Sequence, residues 1–160
     1  MRIGFGFDVH QLAEGRQLRL GGITIPHHKG AVGHSDADVM IHAICDALLG
    51  AANLGDIGKY FPDNSAEFKD VDSRILLKRV IEMIHKKKFA LENIDLTLCL
   101  ENPKIFPHID EIRKSLSDVM KTDEDRISIK ATTNEKLGYI GREEGVACYA
   151  VVLLRNESSL

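Results

Sequence analysis

The first ten residues constrain this chain most tightly. Ile3, Phe5, Phe7 and Val9 alternate with Gly4, Gly6, Asp8 and His10, and a period of two marks an extended strand. One face of that strand is aromatic and aliphatic. The other carries two glycines, then an acid and an imidazole. Side chains two residues apart on a strand point the same way. Asp8 and His10 therefore converge, beside glycines whose missing side chains leave room for something to approach.

Three more strands follow from the same reading. Ile94, Leu96, Leu98 and Leu100 alternate with Asp95, Thr97 and Cys99. Ile127, Ile129 and Ala131 form a third, and Gly145 to Leu154 a fourth that is apolar on both faces. That fourth strand is placed centrally or against another subunit. Helical spacing appears over 36–52 (Val39, Met40, Ala43, Ile44, Ala47, Leu48) and over 73–88 (Leu76, Leu77, Val80, Ile81, Ile84). Ser73 is the expected N-cap of the second helix, and Lys86 to Lys88 suit its C-terminal dipole. Pro107 opens a third helix at a favoured first position, with Ile109, Ile112, Leu116 and Val119 inward. Residues 16–25 read as a hairpin-like excursion broken at Gly21-Gly22, and 54–65 as loop.

Strands with helices returning between them predict one α+β domain over 1–160, with 157–160 as a frayed tail. The expected architecture is a four-stranded sheet with helices on one face. The other face needs a cover, and the apolar last strand points to a second copy of the chain. A chain of 160 residues buries about two-thirds of its unfolded surface, enough for a core without staples. With 21 basic and 24 acidic residues the net charge is −3, which argues against nucleic acid as the main partner. Cys45, Cys99 and Cys148 are too scattered for a disulfide framework and suit a reducing cytosol. Charge comes too early in 1–10 for a signal peptide, and no apolar run approaches the ~20 residues of a membrane helix.

His42 lies in mid-helix with Asp38 and Asp46 four residues to either side, on a shared face. That stripe is either solvated or part of a metal site in which a carboxylate, Asp46 the candidate, orients the ring through its second nitrogen. Asp8, His10 and His42 form an N,N,O set, and three protein ligands with an open fourth position is the pattern of catalytic zinc. Gly33-His34-Ser35-Asp36-Ala37-Asp38 leads into the same helix, Ser35 and Asp38 fitting a capping box. Lys130-Ala131-Thr132-Thr133-Asn134-Glu135-Lys136-Leu137-Gly138 ends a strand in two hydroxyls. There Glu135 has two readings, a cap partner of Thr132 or a ligand of a hard ion beside substrate phosphates. The 102–107 loop is either an ordinary connection or a pocket lined by backbone groups. Arg142 either binds an anion or pairs with Glu143 or Glu144.

Together, and in this order, these segments resemble the 2-C-methyl-D-erythritol 2,4-cyclodiphosphate synthase family. The matching stretches are Arg2-Ile3-Gly4 with Gly6 to His10, Gly33 to Asp38, His42-Ala43 with Asp46 to Gly50, Leu54 to Gly58, Phe61-Pro62-Asp63, Pro103-Lys104, and Lys130 to Thr133 with Glu135 to Gly138. The last is the most specific, and the resemblance covers essentially the whole chain. It implies a cytoplasmic, metal-dependent lyase of the non-mevalonate isoprenoid pathway. Such an enzyme cyclises 4-diphosphocytidyl-2-C-methyl-D-erythritol 2-phosphate and releases CMP. It further implies a homotrimer with sites between subunits, the open sheet face turned to the trimer axis.

The resemblance makes Asp8, His10 and His42 ligands of Zn²⁺, with Val9 between them in the substrate site. Glu135 becomes a ligand of Mg²⁺ or Mn²⁺. His34 and Thr133 are then the catalytic residues, stabilising the transition state, with Ser35, Thr132 and Asn134 beside them. Asp56, Ile57 and Gly58, with Phe61, Pro62, Asp63, Asn64 and Ser65, match the methylerythritol pocket. Leu100, Glu101, Asn102, Pro103, Lys104, Ile105 and Phe106 match the cytidine pocket. Tyr139, where Phe is common, and Arg142 match the border of a central cavity that can hold an isoprenoid diphosphate. Two other functions fit the same metals or trimer. One is a zinc-dependent phosphodiesterase; the other is a non-catalytic trimer that binds isoprenoid diphosphates.

Overall fold

A computed structural model describes residues 1–157; of the expected tail at 157–160, residues 158–160 lie outside the described residues. Glu157 itself is tied in, its N–H donating to the Lys88 carbonyl at 2.9 Å. The strands are β1 (Arg2–Glu14), β2 (Leu18–Leu20), β3 (Ile23–Ile25), β4 (Lys29–Val32), β5 (Phe89–Cys99), β6 (Ile127–Thr132) and β7 (Gly145–Asn156). The helices are α1 (Val39–Ala51), α2 (Ile57–Tyr60), α3 (Ser73–Lys86), α4 (Ile109–Met120) and α5 (Gly138–Gly141). Short 3₁₀ turns lie at Ala66–Phe68, Phe106–His108 and Glu124–Arg126.

The main sheet has five strands in the order β4-β1-β7-β5-β6, not four. The unpredicted member is β4. Its sequence, Lys-Gly-Ala-Val, has no alternation to detect. It forms because β1 runs on to Glu14 and offers free backbone groups, which pair Gln11 to Glu14 with Val32 to Lys29. Buried backbone groups need such partners. β2 and β3 form the expected hairpin, with Gly21 and Gly22 at positive φ in its turn. β7 is central, antiparallel to both β1 and β5, and β5 runs parallel to β6.

What approaches Gly4 and Gly6 is a helix. A Cβ at Gly4 would stand 1.9 Å from the Ala47 carbonyl oxygen, and one at Gly6 equally close to that of Ala43. The glycine face of β1 is therefore the inner face, pressed against α1. Helix α1 is buried along most of its length, from Val39 to Ala51, and α3 adds Leu76, Leu77, Val80, Ile81 and Ile84 to the same core. Each such aliphatic side chain stabilises the fold by about 1.5–3 kcal/mol. Ile3, Phe5, Phe7 and Val9 of β1, with Tyr149 and Val151 of β7, remain exposed on the opposite face.

Both helix starts differ from expectation. The N-cap of α1 is Asp38 rather than Ser35. Its carboxylate is fully buried and accepts from the N–H groups of Ile41 (3.1 Å), Gly21 (2.9 Å) and Gly22 (2.7 Å). One side chain thus ties the β2–β3 turn to the helix that carries His42. The N-cap of α3 is Asp72, whose carboxylate accepts from the Arg74 N–H, and Ser73 is already inside the helix.

Candidate active site

β1 and α1 bring Asp8, His10 and His42 together. His10 Nε2 lies 2.9 Å from Asp8 Oδ2, His42 Nδ1 3.1 Å from the same oxygen, and the two ring nitrogens are 3.1 Å apart. These three atoms form a nearly equilateral triangle. A tetrahedral site with bonds of about 2.0–2.1 Å has edges of about 3.3 Å, so the triangle fits one of its faces with little adjustment.

Hydrogen bonding behind the rings points their lone pairs into that triangle. His10 Nδ1 faces the Val32 carbonyl at 3.0 Å. A carbonyl only accepts, so Nδ1 carries the proton and Nε2 is bare. His42 Nε2 lies 3.0 Å from Ser73 Oγ, and the Ser73 hydroxyl donates to the Asp36 carboxylate. With its proton committed there, Ser73 accepts the Nε2 proton of His42, which leaves Nδ1 bare. Ser35 Oγ supports the same nitrogen at 3.1 Å. Three acceptors facing one another need a cation between them. When protons rather than a metal ion occupy the triangle, burial pushes the Asp8 carboxyl up, but hydrogen bonds donated by His10 and His42 outweigh it and hold its pKa at about 2. Burial opposes charge on His10 too, yet the bond to Asp8 raises its pKa overall.

Asp46 does not orient His42. Its Oδ1 accepts from the Ile57 N–H at 2.8 Å and so fixes the start of α2, in a stretch expected to be loop. The residue that sequence reading missed is Ser73. It read as a helix cap because its link to His42 spans thirty-one positions. The sequence itself offers only a serine at a helix start; its burial is visible in the fold alone.

The triangle opens into a cavity of about 360 Å³ lined by His34, Ser35, Ile57, Gly58, Phe61 and Asp63 among others. His34 Nε2 lies 2.8 Å from the Ser65 carbonyl, to which it donates, tying the ring to the 61–65 loop. Asp56 caps α2. A second cavity, of about 700 Å³, lies where the parallel strands β5 and β6 end side by side. Leu100, Pro103, Lys104, Ile105, Phe106, Thr132 and Thr133 line it. Glu101 accepts from the Asn134 N–H at 3.1 Å and Asn102 donates to Glu143 at 2.8 Å, so both brace the loop. Glu135 caps no helix: it and Lys136 adopt left-handed φ, and Thr133 Oγ1 lies 3.4 Å from its carboxylate. Arg142 makes two bonds to Glu144, at 3.0 and 3.1 Å. No residue lines both cavities.

An N,N,O triangle that opens into a pocket defines an α+β domain with a group of side chains that could hold a metal ion. Comparison makes the class specific. Residues 1–155 match the YgbB family, and the chain belongs to it. The 2-C-methyl-D-erythritol 2,4-cyclodiphosphate synthase of Bacteroides fragilis is 60% identical over 154 residues, 96% of this chain and 97% of that protein. Among solved structures, a synthase of the same name bound to CDP superposes with a TM-score of 0.89 at 40% identity, over 96% of this chain and all of that one. The bifunctional IspDF of Campylobacter jejuni matches with a TM-score of 0.93 at 42% identity, and this chain spans 42% of its length.

Proposed function

We infer that this chain converts 4-diphosphocytidyl-2-C-methyl-D-erythritol 2-phosphate to 2-C-methyl-D-erythritol 2,4-cyclodiphosphate with release of CMP, a phosphorus–oxygen lyase step of the non-mevalonate isoprenoid pathway. Three half-buried lone pairs converging beside a cavity carry the reading, together with family membership. The attacking group is the substrate's own 2-phosphate, so no protein nucleophile is required. Catalysis is then positioning and charge stabilisation.

Asp8, His10 and His42 would hold Zn²⁺, and Glu135, with the substrate phosphates, Mg²⁺ or Mn²⁺. Such ions supply Lewis-acid polarisation of phosphoryl oxygens. The protein's own part is orientation. Ser73, Ser35 and the Val32 carbonyl set both imidazole tautomers, and the Ser65 carbonyl steadies His34. His34 and Thr133 stabilise charge developing on the transferring phosphoryl group. Residues 56–65 receive the methylerythritol moiety, and Leu100 to Phe106 the cytidine, with Lys104 near its phosphates.

The two cavities would be joined in a homotrimer, each site using the smaller cavity of one subunit and the larger of its neighbour. A head-to-tail ring around a threefold axis buries the same patches in every copy. The exposed column of Ile3, Phe5, Phe7, Val9, Tyr149 and Val151 is the apolar surface such a ring needs. Tyr139 and Arg142 would border its central cavity, as a potential isoprenoid diphosphate site. Among the described residues no helix is long and apolar enough to cross a membrane. The three cysteines are free and buried, which suits a cytoplasmic enzyme.

Phosphorus NMR of the reaction tests the function. The expected products are a cyclic diphosphate and CMP, neither carrying label when the reaction runs in ¹⁸O-water. A linear, labelled product would make the chain a hydrolase. EDTA should abolish turnover, with recovery requiring both a zinc-like and a magnesium-like ion.

A further inference from the structure

A second group of metal-ligating side chains lies where β1 ends. The bend before β4 sets the rings of His27 and His28 side by side, with centroids 4.3 Å apart. Glu143, in the turn between α5 and β7, reaches the pair. Two imidazole nitrogens and a carboxylate oxygen lie within 4.8 Å of one another. None of these residues lines either cavity of the active site.

His27 Nε2 is shut off from solvent and has no hydrogen-bond partner. A buried nitrogen without a partner is costly, and a bound cation would give it one. Burial and the neighbouring His28 and Lys29 outweigh Glu143 and push the His27 pKa down. Glu143 gives one oxygen to Asn102 (2.8 Å) and keeps the other free of that bond. The charged neighbours are mixed: Lys29 Nζ donates to the Glu143 carbonyl at 3.1 Å, and Glu14 lies 3.7 Å from His28. Two carboxylates against one ammonium leave the surroundings favourable to a cation.

We propose that His27, His28 and Glu143 form a second site for a borderline divalent transition metal, separate from the Asp8–His10–His42 centre. Two imidazoles and a carboxylate suit Zn²⁺, Ni²⁺ or Cu²⁺ rather than Mg²⁺. The donors must close from within 4.8 Å to about 3.3 Å for a tetrahedral ion. His28 is largely exposed and free to turn inward. An ion held there ties the bend before β4 to the turn before β7, and through Asn102 to the loop of the larger cavity.

Calorimetric titration of the untagged chain with Ni²⁺, in excess Mg²⁺, tests this. The parent should take up two equivalents and His42→Ala should keep one. The double variant His27→Ala/His28→Ala should also keep one, and combining all three changes should leave none. Glu143→Gln preserves the bond to Asn102 and should weaken the second equivalent at least tenfold. A parent whose single equivalent is lost in His42→Ala overturns the proposal, as does a second equivalent that survives loss of both histidines. Failure at His42 alone would count against the catalytic centre and leave this site standing.

Discussion

Replacing Ser73 by alanine should weaken metal binding at Asp8, His10 and His42 while leaving all three ligands in place. The hydroxyl does two things: it donates to Asp36 and accepts the Nε2 proton of His42. Without it, Nε2 keeps Ser35 Oγ at 3.1 Å but loses its link to a carboxylate. Losing a partner behind a ligating histidine typically costs 10–100-fold in affinity. With Ser35 remaining, the single change should fall at the lower end, about tenfold or 1.4 kcal/mol. Removing both hydroxyls in Ser35→Ala/Ser73→Ala should approach a hundredfold. Folding should suffer separately, by about 1 kcal/mol, because the half-buried Asp36 carboxylate loses a donor. Competition against a chromogenic chelator reads the first effect, and denaturant unfolding in EDTA reads the second. A purely structural serine would change only the unfolding curve. Metal affinity of the double variant within about twofold of the parent would refute the tautomer assignment.

Asp38→Ala should be among the most destabilising single changes, since three buried N–H groups lose their acceptor. At about 1–3 kcal/mol each before relaxation, a loss of more than 3 kcal/mol by urea unfolding is expected. Asp72→Ala removes the α3 cap and should cost about 1 kcal/mol at pH 7. Hydrogen bonding from Arg74 outweighs burial and holds the Asp72 pKa below its ordinary 3.8. This contribution is therefore present above pH 3.8 and lost as pH falls through the lowered value, so parent and variant should converge in acid. Lys104→Ala should raise KM for the cytidylyl substrate more than it lowers kcat in steady-state assays; an unchanged KM removes Lys104 from the nucleotide site.

Much of the site was legible in the sequence because it depends on local periodicity. Asp8 and His10 share a strand face by alternation, and His42 sits on a helix by spacing. The long strands and the stripes of α1, α3 and α4 follow from the same rules. Less legible were features made by pairing across the chain. β4 lacks alternation and exists because β1 has edge groups to satisfy. Asp46 looked like the partner of His42 because it is one helical turn away, yet α2 folds back and takes its carboxylate.

The amino-acid sequence by itself determined which segments extend or coil and that Asp8 and His10 share a strand face, since both depend on neighbours a few residues apart. The tertiary structure alone decided which face of β1 turns inward, because the glycines matter only once a helix backbone presses on them. It also decided which nitrogen of each histidine is bare. That depends on acceptors supplied by Val32 and by the Ser73–Asp36 pair, and only the packed fold sets those beside the rings.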